Sequence, residues 1–107
     1  MFRITPDQVK IMRYNRMEAF CKRAIAFARE EVPRTKDMDD EDLRGALDRT
    51  MREAEAVKIR SEQGIVMLYC AVLLCWKDIF VLPEVQNILQ QTNRSEHERV
   101  VAVIGVL

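Results

Sequence analysis

Residues 65–76 read IVMLYCAVLLCW, twelve consecutive apolar side chains with no Gly, Pro or Asn among them. A bilayer-spanning helix needs about 20 such residues, and Lys77 and Asp78 stop any extension. The run must therefore be covered by the rest of the chain. A buried hairpin would need a turn within it, and no turn residue is present. The run predicts the central helix of a bundle, apolar all round, with amphipathic helices packed about it.

The neighbouring helices announce themselves by caps and period. Thr5 is a good N-cap, Pro6 suits the first helical position, and Gln8 completes a capping box. Ile4 and Val9 occupy the two positions of a hydrophobic staple. Pro33 drives Val32 out of helical geometry, so this first helix is expected to run to about Glu31. At 100° per residue, Val9, Met12, Met17, Phe20, Ala24, Phe27 and Ala28 fall on one side, the expected core face. Arg13, Arg16 and Arg23 share that sector and can carry their charged heads out to water. Opposite lie Ile11, Tyr14 and Ile25, among Glu18, Lys22 and Arg29. Three large apolar groups on an outer face point to a second contact, within the chain or on a partner.

Residues 33–42 read as a polar loop ending in a cap at Asp39 or Asp40. Leu43, Ala46, Leu47, Thr50, Met51, Ala54 and Val57 then follow the i, i+3, i+4, i+7 spacing of an amphipathic helix. A turn is expected at Lys58 to Arg60, where that period falters, and Ser61 caps the helix that holds the apolar run. Pro83 stops that helix or opens a short one carrying Val85, Ile88 and Leu89, ended by Thr92 and Asn93. Ser95 and Glu98 form a capping box for a last helix through Val100, Val101 and Ile104. The apolar residues Ile104 to Leu107 either dock on the chain's own core or meet a partner. The sum is an all-α fold, a single domain over residues 1–107, with about five helices around one hydrophobic helix.

Charge and chemistry narrow the function. Lys plus Arg equals Asp plus Glu, 17 of each, so no global field draws in nucleic acid or an anionic membrane. The distribution is uneven: residues 1–29 hold seven basic and two acidic side chains, residues 30–62 seven and eleven. Either a basic first helix faces an acidic second segment, or it offers a basic face to a partner. Three cysteines, Cys21, Cys70 and Cys75, and no apolar stretch over Met1 to Lys10 suit reduced thiols in a cytoplasm. The lone His97 sits in the first turn of the last helix, while Cys70 and Cys75 lie in the run assigned to the core, so no Cys–His nucleophile pair is read. The cysteines lack zinc-site spacing, the acidic cluster at 37–42 lacks the EF-hand pattern, and Gly45, Gly64 and Gly105 are isolated. The reading is a chain that is no enzyme and calls for no metal or cofactor. A DNA-binding regulator using the basic first helix is the alternative from another class, although its basic residues are spread around the helix.

Ile4-Thr5-x-x-Gln8, Phe20, Pro33, Leu43-Arg44, Ala54, and Ile59 with Glu62 before the helix carrying Tyr69 form a pattern. It resembles small helical proteins encoded beside effectors in bacterial type VI secretion clusters. The chain departs from that pattern at Val57-Lys58-Ile59, where a Tyr-Gly-Ile turn is expected, and in its unusually apolar third helix. The resemblance implies an adaptor, chaperone or cognate binding protein for a secretion effector, or an immunity protein that neutralises a toxin by binding it. The residues expected to meet that partner are Ile11, Tyr14 and Ile25 as apolar anchors, with Lys22 and Arg29 orienting it. Self-association through the same face fits equally.

Overall fold

The computed structural model describes residues 6–75 and 78–107, and for residues 6–13 the backbone alone. Five α-helices carry the described chain: α1 (Pro6–Glu31), α2 (Asp40–Ala56), α3 (Glu62–Leu74), α4 (Pro83–Leu89) and α5 (Glu96–Val106). Short 3-10 turns occupy Pro33–Asp37 and Ile79–Val81, and no strand occurs among the described residues. The fold is all-α, as the sequence indicates. No helix among the described residues is long and apolar enough to cross a membrane. The expected cap at Thr5 and the Ile4–Val9 staple lie outside what is described.

Pro33 ends α1 where expected: Val32 is extended, with φ −116° and ψ 103°. The segment that follows is more ordered than a polar loop. The Thr35 hydroxyl is buried and donates to the Val32 carbonyl at 2.7 Å. The Arg29 guanidinium then clasps the whole connection, donating to the Thr35 and Met38 carbonyls at 2.9 and 3.2 Å and to Asp40 at 2.6 Å.

α2 starts at the Asp39 cap, whose carboxylate accepts from the Asp42 N–H at 2.8 Å. Leu43, Leu47, Thr50 and Ala54 are buried, four of the seven residues on the predicted stripe. The helix stops in a Schellman motif. The Ile59 N–H donates to the Ala54 carbonyl at 2.8 Å and the Lys58 N–H to the Glu55 carbonyl at 3.1 Å, while Lys58 takes the left-handed φ of 62°. Ile59 and Ala54 are both buried in one core cluster, which supplies the apolar contact that accompanies such a cap.

Ser61 caps α3, accepting from the Gly64 N–H at 3.1 Å. A Cβ at Gly64 would lie 2.9 Å from the Ser61 hydroxyl and 3.1 Å from Ile59, so a side chain there would crowd the cap. The apolar run is helical, as predicted, but α3 ends at Leu74 rather than at Trp76. Cys75 is extended, its carbonyl accepts from Arg34 at 3.2 Å, and the Asp78 carboxylate opens the next turn by accepting from the Phe80 N–H at 3.1 Å. Trp76 and Lys77 lie outside the described residues. α4 follows from Pro83 and ends at Leu89, short of Thr92 and Asn93. Ser95 caps α5 by accepting from the Glu98 N–H at 3.1 Å.

α3 divides the core in two. Tyr69 and Leu73 pack with Phe20, Cys21, Ala24 and Ala28 of α1 and with Leu43 and Leu47 of α2. Leu68 and Ala71 pack with Ile79, Phe80, Val85, Leu89, Val100 and Val103. The Tyr69 hydroxyl donates to the Leu43 carbonyl at 2.8 Å, which satisfies the one polar atom that α3 buries with this ring. The core face of α1 is rotated from the prediction. Phe20, Ala24 and Ala28 are buried, but Cys21 joins them while Met17 and Phe27 are exposed. The cause is that α1 packs on α2 as well as α3. The small side chains at 21, 24 and 28 let two helices approach, and Glu18 fixes the angle by a two-point pair with Arg44 of α2 at 2.8 and 3.0 Å.

Candidate functional site

Sequence logic expects α3 to be enclosed on every side, and it is not. Leu68, Tyr69, Ala71 and Leu73 are buried, Met67 and Cys70 are half-buried, and Leu74 is 59% exposed. Above this side of α3 runs a groove between α1 and α5. Its floor is Val66, Met67, Cys70, Ala71 and Leu74. One wall is Phe20 and Phe27 of α1; the other is Ile104 with Leu107 at the end of α5. Two contiguous hollows of about 440 and 430 Å³ make up the groove, sharing Phe27 and Met67. Phe27, Leu74, Ile104 and Leu107 are all exposed large apolar residues. The polar end of the groove is the Arg23–Glu62 pair, 3.1 Å apart and open to solvent.

The residues predicted to meet a partner lie on a different face. Ile25, Lys22 and Arg29 come together around an open hollow of about 390 Å³, bordered by Glu18, Asp40 and Arg44. Tyr14 is 64% exposed on the same helix but does not line that hollow. The Ile11 side chain lies outside the described residues. Ile25 is half-buried and packs against the α1–α2–α3 core. Arg29 is engaged by three acceptors of its own chain, and Arg44 by Glu18 and Asp48. This face is laced with internal ion pairs, whereas the groove over α3 gathers exposed Phe27, Leu74, Ile104 and Leu107 around one channel.

Sequence reasoning missed the groove for two reasons. It assigned Phe27 to the core, and it assumed that a helix apolar all round is covered all round. A usable signal was present in the apolar Ile104 to Leu107 segment. None of residues 104–107 is buried, and Ile104 and Leu107 line the groove.

Chemical groups at these surfaces are quiet. Cys70 and Cys75 line the groove and Cys21 is buried beneath the other face. Burial pushes the Cys21 and Cys70 thiols above their ordinary values, which keeps them protonated and poorly nucleophilic. His97 is exposed near the Ser61 and Ser95 caps, with no cysteine lining the same hollow. Among the described residues, no group of three or more His, Cys, Asp or Glu side chains could hold a metal ion. The arrangement can bind an apolar surface. No protein-family model, curated protein or solved structure matches the chain.

Proposed function

We propose that the chain is a non-catalytic, cytoplasmic protein-interaction module, and that an apolar helix of its partner lies in the groove over α3. One observation carries this reading: Phe27, Leu74, Ile104 and Leu107, from three segments, stand exposed around one continuous channel. A lone chain gains nothing from leaving contiguous apolar surface in water, and such patches mark binding sites. The resemblance to type VI accessory proteins supplies the partner class, a secreted effector for which the chain acts as adaptor, chaperone or cognate binding protein.

The test is capture of the effector encoded beside the gene by the native chain and by a Leu74→Lys/Ile104→Glu variant. Both positions are exposed, so the variant is expected to keep its helical circular dichroism and to lose affinity by about tenfold or more. Undiminished capture by the folded variant would rule the groove out. A Tyr14→Glu/Lys22→Glu variant tests the opposite face in the same assay. Inhibition of the captured effector's toxicity identifies an immunity protein; unimpaired toxicity identifies an adaptor or chaperone.

A further inference from the structure

The outer edge of α1 beside the groove carries a second pattern. Arg16, Ala19, Arg23, Ala26, Phe27 and Glu30 are all exposed, and 16, 19, 23, 26 and 30 repeat with the alternating three- and four-residue spacing of a helix–helix seam. None of them is covered by another helix of this chain. Arg16 and Glu30 make no ion pair with another described residue, and Arg23 pairs only with the exposed Glu62 of α3.

We infer that this face pairs antiparallel with the same face of a second copy of the chain. The charges select the occupant and the register. A twofold axis passing beside Arg23 sets Glu30 against Arg16 of the second copy, and Arg16 against its Glu30. The same register sets the protruding Phe27 against the small Ala19 of the second copy, so a knob meets a hole on each side of the axis. Two Arg23 side chains meet at the axis itself, but each brings its Glu62, so the axis carries two positive and two negative charges. Arg16, Arg23, Glu30 and Glu62 sum to zero on each copy, and the whole chain is neutral, so no net repulsion opposes association. An isologous contact of this kind closes on itself as a dimer. Because Phe27 belongs both to this seam and to the groove wall, the dimer covers part of the groove and competes with a partner helix. The competition rests on the proposed function; the dimer does not.

Sedimentation equilibrium over a wide concentration range tests the pairing. The native chain is expected to approach twice its 12.5 kDa mass. Arg16→Glu and Glu30→Arg, which each place two like-charge contacts in a symmetric dimer, are expected to weaken dimerisation by about tenfold or more. The combined Arg16→Glu/Glu30→Arg swap restores opposite charges in both contacts and is expected to recover dimerisation. A native chain that stays at 12.5 kDa throughout, or a folded double swap that stays monomeric, overturns the inference. A monomer that still captures its partner through Leu74 and Ile104 overturns the dimer alone. A dimer whose partner capture ignores both groove substitutions overturns the proposed function alone.

Discussion

Lys58 occupies the left-handed region at φ 62°, which costs an L-residue about 1–2 kcal/mol relative to the helical basin. Glycine avoids that cost but loses more backbone freedom on folding, by roughly 0.5–1 kcal/mol. The difference predicts that Lys58→Gly stabilises the fold by about 0.5–1 kcal/mol. Urea denaturation checks this, and a lower midpoint for the variant would contradict the cap geometry described for α2. Arg99 is the opposite case, a residue whose removal should be severe. It is 2% exposed, and one guanidinium nitrogen donates to the Val57 carbonyl at 2.7 Å and the Leu89 carbonyl at 2.6 Å. Those carbonyls end α2 and α4, where the helix dipoles concentrate negative charge, so a buried cation is compensated there. Its Nε has no partner within the described protein, so the residue is not fully satisfied. Arg99→Ala leaves the buried Leu89 carbonyl and the part-buried Val57 carbonyl without this donor and is expected to destabilise by about 2–4 kcal/mol, readable in the same denaturation series.

At the scale of elements, the first turn of α5 ties several helix ends together. While Arg99 holds the last carbonyls of α2 and α4, the Glu96 carboxylate accepts from the Arg60 and Ser61 N–H groups at 2.7 and 3.2 Å, at the start of α3. The Arg60 N–H bond first, then the Ser61 hydroxyl, hold the Glu96 carboxyl below its ordinary value of 4.5. A folded pKa below the unfolded one means that the carboxylate stabilises the fold above the ordinary value. That contribution is lost as pH falls from there through the lowered folded value. Glu96→Gln is therefore expected to be less stable than the native chain at neutral pH, with the gap closing as the solution is acidified. Urea midpoints of the two proteins across that range measure it, and a gap independent of pH would remove Glu96 from the acid response. These long-range couplings explain what the sequence could and could not disclose. Asp39, Ser61 and Ser95 were legible as caps because each acts within three residues of itself. The α2 stripe was legible because one face suffices for it. Glu96 reaching across 36 residues to Arg60, and Arg99 reaching across 42 to Val57, leave no local trace, since an acidic or basic residue in a first turn reads as ordinary surface. The exposure of Phe27 was hidden for a related reason: helical period gives the direction of a side chain but not the angle at which α2 and α3 divide α1 between them.

The whole molecule explains why the groove is open at all. A compact chain of this length would have a radius of gyration of about 13 Å, yet the observed value is 15.4 Å. The extents are 53 × 38 × 19 Å, and the shortest is about two helix diameters. In a slab of two helix layers, a central helix can have neighbours beside it and beneath it, but one sector faces outward. α3 is apolar in that sector too, which is why Met67, Cys70 and Leu74 become the floor of a site rather than part of a closed core. Two consequences can be measured without knowing the partner. Cys75 should be alkylated in the free protein and shielded when the groove is filled, Cys70 should react more slowly because burial keeps its thiol protonated, and the buried Cys21 should resist in both states, as mass mapping of labelled thiols can establish. An apolar fluorescent dye should bind the native protein at neutral pH, and Leu74→Lys should abolish that binding while changing stability by no more than about 0.5 kcal/mol. Leu68→Ala, only one turn and a half away but fully buried, should do the reverse. It should destabilise by about 2–5 kcal/mol and leave the groove's dye binding in place while the fold persists. The two leucines thus separate the structural side of α3 from its open side. Dye binding that survives in a folded Leu74→Lys protein would mean that the dye's apolar surface lies elsewhere on the molecule.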